Sequence, residues 1–238
     1  MAGIGIFGGT FDPIHFGHLR IAEEFAAALG LEQVRLVPTA NPPHRAGPLA
    51  GNEDRLAMVR LAVAGNPRLA VDERELRRDG PCYTIDTLTE LRAELGPDAP
   101  LSWLIGADSF LSLDRWHRWR ELFDLATLAV ACRPGFDLDR WRERASPALA
   151  DEVLPRIQTL SVTGRHLPGT IALLPTTPLA ISSTAIRAEL AAGRSARYLA
   201  PDAVLDYAGR HLLYSAATPR PPEPGGTVGQ AASGTLRT

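Results

Sequence analysis

The chain has 238 residues, 45% of them hydrophobic and 22% charged, which suits one globular domain with a sizeable core and at most an appendage. A formal net charge of −2 argues against a broad nucleic-acid-binding face, and because all 25 residues counted as Lys plus Arg are arginine, Schiff-base and lysine-nucleophile chemistry is excluded. The two cysteines, Cys82 and Cys132, stand in neither C-x-x-C nor metal-ligand spacing, and no apolar run approaches the roughly 20 residues of a membrane span, so a cytoplasmic protein without a membrane or nucleic-acid partner is expected.

The apolar run Ile4 to Phe7 predicts a first strand. Ile21, Ala22, Phe25 and Leu29 recur at helical spacing and predict a helix from about His18 to a C′ glycine at Gly30. Between them lies Gly8-Gly9-Thr10-Phe11-Asp12-Pro13-Ile14-His15-Phe16-Gly17-His18. Gly8 and Gly9 can adopt backbone angles closed to other residues and leave no side chain between their amides and a ligand, and Thr10 adds a hydroxyl. His15 and His18 flank Gly17 at a helix start, where free N–H groups carry roughly half a positive charge. The residues alone allow either a polyphosphate cradle or a tight turn with two surface histidines.

Gln33 to Val37 predicts a second strand. Its exit, Pro38 to Arg45, is stiffened by prolines and ends in two groups that can carry charge, His44 and Arg45. Asn52 is expected to cap a helix that carries Leu56, Val59 and Val63 and ends at Gly65. Leu69 to Asp72 predicts a third strand. Gly80-Pro81-Cys82-Tyr83-Thr84-Ile85-Asp86-Thr87-Leu88 then enters a helix, with Thr84 as its N-cap and Tyr83 as a packing residue.

Leu101 to Ile105 predicts a fourth strand followed by Gly106-Ala107-Asp108-Ser109. A carboxylate just past a strand can accept from ribose hydroxyls, or Asp108 can cap the next helix. Trp116 and Trp119, three apart, are read as lying on a helix, where packing and base stacking both remain open. Thr127 to Ala131 predicts a buried fifth strand that exits into Cys132-Arg133-Pro134-Gly135. Residues 137 to 169 contain an arginine-rich helical piece around Trp141 and receive no chemical role.

Ile171 to Leu174 predicts a sixth strand. It leads to Ile181-Ser182-Ser183-Thr184-Ala185-Ile186-Arg187, where three hydroxyls gather at a helix start with Arg187 about one turn in. That is a second helix-terminus anion site, or a capped helix with a solvated arginine. The helix closes at Gly193, and Pro201 starts a last one through Leu213. Residues 1–214 are expected to form the domain, and residues 215–238, rich in Pro, Gly, Ala, Ser and Thr, a disordered tail.

Strands that alternate with helices predict a parallel sheet covered on both faces, with ligand outside the carboxyl ends of the strands. Every candidate follows a strand, so one crevice could collect them. Spacing alone predicts a phosphate-rich ligand there.

The eleven-residue string Gly8 to His18 resembles the N-terminal signature of the nucleotidyltransferases, and in this full form the nicotinate-nucleotide adenylyltransferases. Ile181-Ser182-Ser183-Thr184-x-Ile186-Arg187 resembles their second signature. The resemblance implies an α/β, doubly wound, mostly parallel, Rossmann-like sheet with helices on both faces. It also implies transfer of an adenylyl group from ATP to nicotinate mononucleotide in NAD biosynthesis, with Mg²⁺ bound through the ATP phosphates and no dedicated protein metal site.

His15, His18 and Arg187 are thereby expected to be catalytic. The expected ATP-binding set is Gly8, Gly9, Thr10, His15, His18, His44, Arg45, Gly106, Asp108, Arg133, Ser182, Ser183, Thr184 and Arg187. The pyridine pocket is expected at Tyr83, Thr84 and Trp116. Arg45 stands where the family carries a lysine. Rival readings are a nicotinamide mononucleotide or phosphopantetheine adenylyltransferase, a histidine-metal hydrolase built on His15, His18 and His44, and a non-catalytic nucleotide sensor; a homo-oligomer is left open.

Overall fold

A computed structural model describes residues 3–40, 48–132, 141–158 and 167–215. Among these, seven strands form one sheet: β1 (Gly3–Gly9), β2 (Leu31–Pro38), β3 (Leu69–Val71), β4 (Leu101–Gly106), β5 (Thr127–Cys132), β6 (Ile157–Gln158) and β7 (Ile171–Pro175). Their order is β3-β2-β1-β4-β5-β7-β6, and every pairing is parallel. The order reverses between β1 and β4, which is where an open α/β sheet leaves a crevice.

The helices are α1 (Phe16–Leu29), α2 (Asn52–Val63), α3 (Thr84–Leu95), α4 (Ala107–Phe110), α5 (Leu122–Leu125), α6 (Pro147–Val153), α7 (Ser183–Ala191) and α8 (Asp202–Arg210). Two apolar cores cover the two faces of the sheet. Val34, Leu36, Leu104 and Ala129 join Phe25 of α1, Met58 of α2, Ile186 of α7 and Val204 of α8. Val37, Trp103, Ile105 and Leu128 join Ile85 and Leu88 of α3, Phe123 of α5 and Leu149 of α6. Neighbouring strand residues thus feed opposite faces, as the pleat requires. The doubly wound parallel sheet is as expected.

Several local expectations are corrected. Asn52 is not a cap: Gly51 holds that position without a side-chain bond, and Asn52 Oδ1 accepts from Arg55 Nη2 at 2.6 Å. Arg55, not Leu56, takes the inner position of α2 with Met58, Val59 and Val63. Thr84 is the first residue of α3 rather than its N-cap, which is Tyr83. Trp116 and Trp119 do not share a helix. The segment is two 3₁₀ turns, Leu113–Arg115 and Trp119–Glu121, interrupted by Arg118 at φ 50°. The strand expected sixth is β7, because the two-residue edge strand β6 has too few residues to show a period. The last helix stops at Arg210, followed by Leu212 and Tyr214 in the left-handed region.

Candidate active site

The two signatures meet. Ser183 Oγ donates to Pro13 O at 2.9 Å, and Arg187 Nη1 donates to Asp12 O at 2.7 Å, so the start of α7 is bonded to the loop after β1. Ser182 caps α7 by accepting from Ala185 N at 3.1 Å. Arg187 Nη2 reaches Thr184 Oγ1 at 3.4 Å.

His15 is the N-cap of α1 and is only 3% exposed. The His18 N–H is shared between His15 O at 2.9 Å and His15 Nδ1 at 3.4 Å. A ring nitrogen that accepts bears no hydrogen, so in this arrangement the His15 proton sits on Nε2. The two imidazoles stack, and Phe11 meets His18 edge-on at 5.1 Å. Gly17 is dictated by this packing: a Cβ there would stand 3.0 Å from His15 Cε1 and Nδ1.

Gly8 and Gly9 both close β1 in extended conformation, and neither uses the positive φ open to glycine. At Gly9 the constraint is space. A Cβ on Gly9 would strike the Phe11 ring at 2.9 Å, and one on Gly8 would project into open space. The residue that does adopt an unusual backbone is Phe11, at φ 48°, held there by burial of its ring against Phe7 and His18.

Beside this loop, at the ends of β1 and β4, lies a cavity of about 190 Å³. Gly8, Gly9, Thr10 and Gly106 line it together with Tyr83, Thr84 and Trp116. Trp116 leans on Trp103 at 5.5 Å, and Tyr83 packs against His117 at 4.6 Å. Asp108 is exposed in the first turn of α4 and does not line the cavity, whereas Ser109 does. His44, Arg45 and Arg133 lie outside the described residues.

Sequence reasoning missed Glu75. It lines the same cavity while only 6% exposed, and Thr87 Oγ1 donates to its Oε1 at 2.6 Å. Burial pushes its carboxyl above the usual range against the opposing effect of hydrogen bonds from Thr87 and Thr39 and of the Arg78 charge. Arg78 also donates to Thr87 Oγ1 at 3.2 Å and pairs with Glu90 at 2.7 Å, so the end of the 3₁₀ turn Arg74–Arg77, which carries Glu75, is cross-linked to α3. A carboxylate within the charged run Asp72-Glu73-Arg74-Glu75-Leu76-Arg77-Arg78-Asp79 gave no signal that it is buried. The burial of Asp12 and Arg55 was missed too. Among the described residues, no three His, Cys, Asp or Glu side chains converge as a metal cage, and no helix is long and apolar enough to cross a membrane.

Residues 6–189 match the family model of cytidylyltransferase-like domains, which places the chain among the nucleotidyltransferases. Proteins named "Probable nicotinate-nucleotide adenylyltransferase" are similar over nearly their whole length. The one from Aeromonas salmonicida is 52% identical over 90% of this chain and 98% of its own, and that of Pseudomonas putida is 50% identical over 90% and 95%. The chain belongs to the nicotinate-nucleotide adenylyltransferase family. The solved nicotinic acid mononucleotide adenylyltransferase of Plasmodium falciparum, in complex with NaAD, shares the fold at TM-score 0.67 and 16% identity, covering 90% of this chain and 98% of that one.

Proposed function

We propose that the crevice between β1 and β4 is where this chain transfers the adenylyl group of ATP to the 5′-phosphate of nicotinate mononucleotide, releasing pyrophosphate and forming deamido-NAD. The observation that carries this reading is the bonding of Ser183 and Arg187 to the Asp12-Pro13 carbonyls, which places two helix starts and a guanidinium on one loop beside an aromatic-walled cavity. The cytoplasmic domain of residues 1–214 is the unit that performs it.

A phosphate monoester has its second pKa near 6, so at neutral pH the attacking phosphate is already ionised and needs no general base. His15 and His18 therefore act as preorganised donors to the ATP phosphates as charge moves onto the leaving pyrophosphate. Gly8, Gly9 and Thr10 bring uncovered amides and a hydroxyl to those phosphates. Ser182, Ser183, Thr184 and Arg187 hold their far end, with His44, Arg45 and Arg133 as further contributors, and Gly106 and Asp108 serve the ribose. Tyr83, Thr84 and Trp116 receive the pyridine ring.

Mg²⁺ would be held by the ATP phosphates and would neutralise their charge there, while the hydroxyls and the Arg187 guanidinium bind phosphate oxygens directly.

The test is pyrophosphate release from ATP and Mg²⁺ with nicotinate mononucleotide, nicotinamide mononucleotide or phosphopantetheine as acceptor. Highest kcat/KM with the nicotinate acceptor, abolished by chelation, is expected. Turnover with phosphopantetheine alone would overturn the assignment.

A further inference from the structure

Behind the signature loop lies a set of buried polar groups that no step above uses. Arg55 is fully buried, and its Nη1 donates to Thr10 O at 2.6 Å, inside the stretch that would face the ATP phosphates. Asp12 is 4% exposed. It accepts from Leu49 N at 2.8 Å, from Ala50 N at 3.2 Å, and from the Tyr214 hydroxyl at 2.6 Å, while its own carbonyl receives Arg187. Tyr214 is itself buried, at φ 63°, beyond the end of α8.

Burying a guanidinium costs several kcal/mol unless it is well partnered, and Arg55 retains a buried Nε with no hydrogen-bond acceptor. Core packing alone is better served by an apolar side chain at that position of α2. Of the two hydrogen bonds that Arg55 makes among the described residues, one stays within α2, to Asn52 Oδ1, and the other fixes the backbone of Thr10. Tyr214 and the Leu49 and Ala50 amides likewise fix the Asp12 carboxylate, which leaves the Asp12 carbonyl turned to Arg187.

We infer that Arg55 and Tyr214 are positioning residues for the phosphate end of the site: they clamp Thr10 and Asp12 from behind, so that the loop amides and the Arg187 guanidinium are preset for ATP. This rests on the reading of the crevice as an ATP site. Neither residue touches substrate. Their effect is on affinity for ATP rather than for the mononucleotide, because Tyr83, Thr84 and Trp116 belong to elements that the clamp does not bond.

The experiment uses Tyr214→Phe, which removes one hydroxyl, in the full chain. ATP affinity is measured by calorimetric titration without acceptor, and KM for each substrate by pyrophosphate release. Loss of a hydrogen bond to a charged group predicts roughly tenfold weaker ATP binding and a matching rise in the KM for ATP, with the KM for nicotinate mononucleotide within about twofold. Val153→Ala, which opens a cavity in the core on the opposite face, is the control for general destabilisation.

Unchanged ATP affinity in Tyr214→Phe, or an equal loss in Val153→Ala, would overturn the inference. Arg55→Met is expected to show the same ATP-selective defect and Arg55→Lys to recover part of it; absence of recovery removes Arg55 from the clamp. If Arg55→Met does not fold, the Tyr214→Phe comparison decides. Should the unaltered protein bind ATP yet leave nicotinate mononucleotide untouched, the proposed acceptor fails while the titrations still decide the clamp.

Discussion

The His15 and His18 rings stack with centroids 3.7 Å apart and planes 21° from parallel. Each ring therefore sets the other's orientation, and His15 adds the cap of α1. Two rings oriented by one another form one unit.

Replacing His18 by Ala should lower kcat about 10²–10³-fold, the usual cost of one preorganised donor, with the circular dichroism spectrum intact. The double variant His15→Ala/His18→Ala should lose much less than the product of the two single losses, since either change already unsettles its partner. Multiplicative losses in the kinetics would show that the rings work independently.

Gly17→Ala separates stability from activity. Alanine is favoured over glycine in a helix by about 1 kcal/mol, so the melting temperature should hold or rise. The added methyl stands 3.0 Å from the His15 ring, which must shift, and kcat should fall at least tenfold. A variant with normal kcat would mean that His15 is free to move.

Trp116→Ala should raise the KM for nicotinate mononucleotide about tenfold or more and leave that for ATP little changed, as expected for a lost stacking wall. The reverse pattern in initial-rate data would put the pyridine ring elsewhere.

Glu75 has its carboxyl pushed up by burial, so the folded protein holds that proton more tightly than the unfolded chain does. The corresponding stability is fully present below the ordinary value of 4.5 and is lost as pH rises through the raised folded value. Glu75→Gln removes the titration. Across urea melts from pH 4 to 8, the variant should gain on the parent as pH rises; a constant difference would show that Glu75 titrates alike in both states.

The parallel sheet was legible because strands at the centre of such sheets are continuous apolar runs, and Leu101–Ile105 and Thr127–Ala131 stand out as such. The two segments that meet beside the crevice were legible because each is one continuous stretch of chain, Gly8 to His18 and Ser182 to Arg187. What could not be read was the set of buried charges. Arg55 in α2 and Glu75 in its 3₁₀ turn look like the many solvated arginines and glutamates of the chain, and only contacts from distant segments decide that they are inside. Trp116 and Trp119 matched a helical interval, but the left-handed Arg118 between them breaks the period.

The bond from Tyr214 to Asp12 joins positions 202 apart. Synthesis runs from the N-terminus, so a growing chain already possesses the seven described strands by Pro175 and both signatures by Arg187, while Asp12 still waits for that hydroxyl. The loop after β1 is among the first parts to be translated, yet one of its hydrogen bonds forms only after α8 and the turn that follows it have been made.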